Sequence, residues 1–181
     1  MRVEFKRRTY IALMAVVICV CSWLTVPFTV PFTMQTFGVF CALLLLGGKD
    51  GTAAIGIYIL MGLVGLPVFS GFRGGAGHIF GPTGGYIIGF LFTGLTYMLT
   101  EPWITSRHSL RWASLAVGLI LCYMIGTVWF TAVFARSGTY YSLPAALGMC
   151  VLPYVIPDFI KMALAVYVSD RVNVAIDKNA K

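Results

Sequence analysis

Charge is scarce in this chain. Only 10% of its 181 residues are Asp, Glu, Lys or Arg, against roughly 25% in a soluble domain. That is too little to cover a water-facing surface, so a soluble globular protein is excluded. Sequence signals for nucleotide chemistry are missing as well. The turn Gly47 to Asp50, GGKD, has no glycine at the required upstream position and continues with Gly51 and Thr52, so it is not a phosphate-binding loop. GGAGHIFG fails the G-x-G-x-x-G spacing and follows no predicted strand, and ATP hydrolysis by this chain is therefore not expected. There are two histidines and no H-E-x-x-H pattern. The five cysteines, Cys19, Cys21, Cys41, Cys122 and Cys150, are scattered through apolar runs. They read as small core residues, with no disulfide, metal site or cofactor implied.

What the chain has instead is apolar length. Hydrophobic residues make up 59% and the mean hydropathy is +0.89. Runs of about 17 to 25 apolar residues cross a bilayer as helix, and six candidates are present: residues 10–26, 33–48, 51–69, 82–100, 112–135 and 156–173. The expected fold is an all-α membrane protein, a six-transmembrane-helix bundle forming one domain over residues 1–181. The basic start followed by an apolar run resembles a signal peptide but lacks a small-x-small cleavage site, so it is expected to be retained as a helix.

The net charge of +7 does not point to nucleic acid, because the cations are sorted by side. Arg2, Lys6, Arg7, Arg8, Lys49, Arg107, Arg111, Arg171, Lys178 and Lys181 fall on one side of the six spans, and Arg73 and Arg136 on the other. This positive-inside pattern places both termini in the cytoplasm of a cell-membrane protein.

Polar chemistry gathers on the other side. Residues 62–90, GLVGLPVFSGFRGGAGHIFGPTGGYIIGF, hold ten glycines and two prolines around Arg73, His78, Thr83 and Tyr86. Irregular backbone in a membrane is tolerated only where it is buried or lines a cavity, so this stretch is either a binding wall or a close-packed hairpin. Pro82 and Thr83 read as the start of a helix. The segment Thr25 to Thr36 sets Phe28 and Phe32 against Thr29 and Gln35, and reads equally as a lid or an interfacial loop. In the last span, Pro157 suits a first helical turn, putting Asp158 at the favourable end of the helix dipole. Lys161 lies one turn deeper on the same face. An ionisable residue there is costly without a partner; the pair is either a local staple or part of a ligand site. Span one carries Ala12, Ala15, Cys19 and Ser22 at spacings of three and four, a flat face for another helix or an external partner. Span five, apart from Trp129, carries no evident chemistry.

A carboxylate that accepts hydrogen bonds and an ammonium that meets an anion suit a small, partly apolar solute with N–H donors at one end and a carboxylate at the other. The motifs VPFTMQT, GLVGLPVFSG, GPTGGYIIGF and PDFIK resemble the BioY family, the biotin-specific substrate-binding components of energy-coupling-factor (ECF) vitamin transporters. The likeness runs from span one to span six. It implies a six-helix bundle that binds biotin near the outer face under a lid formed by the loop after the first helix. By motif match it implies Asp158 and Lys161 as polar ligand contacts and Tyr86 as a pocket residue; Gln35, Thr83, Gly84, His78 and Arg73 are candidate ligand-binding residues from the polar stretches described above, with His78 standing where the family commonly carries small or polar residues. Asp158 would accept from the ureido N–H groups, and either Lys161 or Arg73 would face the carboxylate. It also implies a membrane coupling subunit and two ATP-binding-cassette subunits as partners. The family's first helix usually docks that subunit through alanines four apart; here Ala12 is followed by Ala15 and Val16, with Cys19 beyond, so the pattern is shifted. An intramembrane enzyme using His78 or Asp158, and a structural scaffold that binds nothing, are the competing readings.

Overall fold

The computed structural model describes residues 2–28, 30–104 and 108–179; Thr29, Arg107 and Lys181, which figure in the reading above, lie outside them. In chain order the described elements are α1 (Arg2–Trp23), β1 (Thr25–Val26), β2 (Phe32–Thr33), α2 (Gln35–Leu63), α3 (Ala76–Ile79), α4 (Gly84–Ile104), α5 (His108–Arg136), α6 (Leu143–Cys150) and α7 (Leu152–Asn179). Among the described residues, four helical stretches are long and apolar enough to cross a membrane: Gln35–Leu63, Gly84–Ile104, Ser109–Arg136 and Leu152–Ala175. Leu60, Leu99, Ile120, Met124, Val128, Ile160 and Leu164 are exposed on their outer faces, as lipid-facing side chains are. This is a mostly helical membrane protein.

Helix α2 is not one rod. Gly47 has φ 81° and ψ 173°, a conformation open to glycine and strained for other residues, and the chain doubles back there. The two arms then lie side by side: Gly51 abuts Ala42 and Leu43, and Gln35 Nε2 donates to the hydroxyl of Tyr58 at 2.6 Å. Glu101 closes the turn by accepting from the Gly48 N–H at 3.0 Å. Around this hairpin pack α1, α4 and α7, with α5 against α4. Tyr58, Phe40, Ile18, Leu43 and Ile55 fill the interior.

The observed boundaries correct several expected ones. The third span ends at Leu63 rather than 69, and residues 64–75 form a loop. Helix α4 begins at Gly84, with Pro82 and Thr83 in the turn just before it. The last helix begins at Leu152, and Pro157 lies inside it. Pro153, the second helical residue, supplies the first-turn proline that was assigned to Pro157. Asp158 is therefore about 9 Å below the helix start at roughly 1.5 Å per residue, too deep for the terminal dipole to hold it.

One end of the bundle is built up in layers. The loop after α2 is pinned by Phe69, fully buried, which packs edge-on to Tyr58 at 5.5 Å and stacks on His78 at 5.2 Å between ring centroids. Ser22 donates to the carbonyl of Val68, and Trp23 Nε1 donates to that of Pro67 at 2.9 Å, so the end of α1 clamps the same loop. From the other side Trp129 Nε1 donates to the Gly81 carbonyl at 3.0 Å. The β1–β2 ribbon pairs Thr25 with Thr33 and Val26 with Phe32, and covers the same end.

Candidate functional site

The ribbon, α2, α4, α5, α6 and α7 line a chamber that opens at a mouth, with about 600 Å³ between its walls when the open side is counted. Val30 and Pro31 roof it, Tyr86, Ile87 and Phe90 of α4 form an apolar wall, and Asp158 and Lys161 reach in from α7. Tyr154 holds the roof by donating to the Val30 carbonyl.

Asp158 and Lys161 are 4% and 5% exposed, so their charges persist only if fully partnered. Lys161 Nζ donates to Asp158 Oδ1 at 2.8 Å and to the Thr33 carbonyl at 2.6 Å, and lies 4.0 Å from the centre of the Phe32 ring. Asp158 Oδ1 also accepts from Thr36 Oγ1 at 2.8 Å, and Oδ2 accepts from the Tyr123 hydroxyl at 2.5 Å. The pair is thus more than a staple within one helix. It ties α7 to the ribbon, to α2 and to α5, and it does so in the chamber wall.

Other expected site residues fall into different places. Gln35 lines the chamber, but both ends of its amide are engaged: Oε1 accepts from Thr33 Oγ1 at 2.9 Å and Nε2 donates to Tyr58. It sets the ribbon against α2. Tyr86 is in the wall with its hydroxyl 3.2 Å from Thr127 Oγ1, and its ring lies against the bare Cα of Gly126, where a Cβ would come within 2.1 Å. His78 and Thr83 stand at the mouth, facing both the chamber and a wider space outside it. Burial, and then the nearby Arg73 guanidinium, hold the His78 imidazole below its usual value of 6.5. Arg73 faces the outer space and is absent from the chamber wall. Gly84 is a packing position: a Cβ there would collide with the Ile79 carbonyl.

The small-residue row of α1 is split. Ala15 and Cys19 are buried inside the bundle, Ala12 and Val16 point outward.

Span five was read as carrying no chemistry, and that is corrected by Tyr123, which holds Asp158, and by Thr127 and Trp129. A tyrosine hydroxyl in a membrane span needs a partner, and that was the available signal. Thr33, Ser70 and Tyr154 also line the chamber and had not been singled out; Thr36, the end of the Thr25–Thr36 segment, and Cys122 and Cys150, read as core residues, line it too.

A sequence model of the BioY family matches residues 1–178. The chain is 40% identical over 142 residues to a probable biotin transporter BioY of Pyrococcus horikoshii, covering 78% of this chain and 80% of that one. It is 36% identical over 157 residues to a biotin transporter BioY of Thermotoga maritima, covering 85% and 88%. Among solved structures, the S-component for biotin from an ECF-type ABC transporter matches with a TM-score of 0.83 at 30% identity, covering 95% of this chain and 93% of that one.

Proposed function

This chain belongs to the BioY family, and from that premise we propose that it is the substrate-specific subunit of an ECF-type importer, binding biotin and mediating its uptake. It is a transporter component and not an enzyme. The observation that carries this reading to particular residues is the chamber with a buried Asp158–Lys161 pair in its wall.

A ureido head has N–H donors and one carbonyl. Asp158 offers four lone-pair directions and accepts three hydrogen bonds, from Lys161, Thr36 and Tyr123. One ligand N–H adds to these, a second replaces the Thr36 donor, and Tyr123 goes on holding Oδ2. Lys161 gives the buried carboxylate an ion-pair partner at 2.8 Å. Tyr86, Ile87 and Phe90 take the apolar ring and chain, while Thr83, His78 and Ser70 stand at the mouth. Gln35 positions the roof, and Gly84 lets α4 start close beneath Ile79.

The single unit of residues 1–181 crosses the membrane six times, through α1, the two arms of α2, α4, α5 and α7, with both termini cytoplasmic. The sorting of cations supports this orientation. Uptake is coupled by a membrane subunit of the importer and two ABC-type ATPases. The docking face on α1 is the outward pair Ala12 and Val16, four residues apart; Ala15 and Cys19 serve internal packing.

Titration calorimetry of the purified chain in detergent tests the reading. One biotin binds per chain without ATP, and the same sample shows no ATPase activity. Failure to bind biotin overturns the assignment.

A further inference from the structure

Outside the chamber lies a second space of about 980 Å³, counting its open side, lined by Thr25, Phe28, Arg73, Gly77, Pro82 and Phe134 among others. Pro31, Ser70, His78 and Thr83 belong to the walls of both. The two spaces therefore adjoin, and a solute reaching the chamber from this end passes through the outer one.

The charge in this antechamber is of one sign. Arg73 is exposed and forms no ion pair among the described residues. The neighbouring His78 is kept neutral at pH 7 by its surroundings. No acid among the described residues lines the space. Asp158 is buried and paired, and Glu4, Asp50, Glu101 and Asp170 sit at the opposite ends of their helices or at the Gly47 turn. Lys161 does not compensate for Arg73 as an anion partner, because its N–H groups meet Asp158 and Thr33 and its charge rests on Phe32.

We propose that this space is an anion-capturing antechamber in which Arg73 draws in the carboxylate end of the solute before the polar head settles against Asp158. The proposal rests on the reading that the chamber takes a ureido-headed acid. Arg73 then acts on arrival, as an exposed charge at the rim of a binding site acts on association and its salt dependence.

The experiment is stopped-flow binding by the full chain in detergent, with biotin and with its uncharged carboxamide, in wild type, Arg73→Gln and Arg136→Gln. Arg136 ends α5 at the same end of the bundle but does not line the antechamber, so its loss controls for overall charge. Arg73→Gln slows biotin association about threefold at low salt, the Coulomb factor for unit charges roughly 6 Å apart in water. The difference fades at high salt, and neither carboxamide association nor biotin dissociation changes. Arg136→Gln behaves as wild type. Equal slowing for both ligands, or no slowing for biotin at low salt, overturns the proposal. Faster biotin dissociation places Arg73 in the bound complex and overturns the capture role. Wild-type protein that binds neither ligand refutes the biotin reading itself, a result distinct from all of these.

Discussion

Replacing Asp158 by Asn removes the charge on which the chamber wall converges. Asp158 is 4% exposed and accepts hydrogen bonds from Lys161, Thr36 and Tyr123. Two losses follow, and they are separable. Toward the ligand, an N–H bond to a charged acceptor contributes about 1.5–3 kcal/mol, so biotin affinity falls by about 10- to 150-fold. Toward the fold, the Lys161 ammonium is left buried with the Thr33 carbonyl and the Phe32 ring alone, and breaking a buried pair costs about 3–5 kcal/mol. The double variant Asp158→Asn with Lys161→Met removes the stranded charge. Calorimetry in detergent reads affinity and a melting scan without ligand reads stability. Asp158→Asn lowers both, and the double variant recovers melting temperature without recovering affinity. Unchanged affinity in Asp158→Asn refutes the reasoning, and so does a double variant in which affinity returns with stability.

Three further outcomes are expected. Gly126→Ala sets a Cβ within 2.1 Å of Tyr86, which pushes the ring into the chamber or parts α4 from α5. Overpacking of this kind costs about 1–3 kcal/mol, read as a lower melting temperature and weaker binding, and a variant that melts and binds as wild type contradicts the packing described. Tyr123→Phe removes one donor from Asp158 and weakens binding by about 1 kcal/mol, with calorimetry as the check. The His78 imidazole is held below its usual value, so as pH falls the unfolded chain takes up the proton first. Its stabilising effect is present above pH ~6.5 and is lost as pH drops through the lower folded value; His78→Gln flattens that decline in melting temperature between pH 7 and pH 5, and parallel curves contradict it.

Much of the architecture was legible because apolar length and glycine punctuation are local signals. The break at Gly47 falls one residue inside the end of the expected 33–48 span, although the doubled-back helix needed the Gly47 backbone to be seen as one element. Pro157 misled because a proline in the second turn and one in the first carry the same local signal, and Pro153 stood four residues earlier. The acid and the amine of the candidate site could be read from cost alone, since isolated charges in a membrane span demand partners. Their partners could not. Thr33, Thr36 and Tyr123 come from a ribbon, a helix start and a span 35 residues away from Asp158, and only tertiary contact orients them. Arg73 was grouped with the chamber by its place in the glycine-rich stretch. The fold sets it one space further out, because the loop turns at Gly71 and Gly75 with positive φ.

The most direct measurement is a crystal structure of the purified chain grown with biotin. The account predicts one biotin in the chamber, with a ureido nitrogen within hydrogen-bond distance of Asp158 and the carboxylate directed toward the mouth. Biotin bound elsewhere, or bound in the chamber with its carboxylate against Asp158, would contradict it.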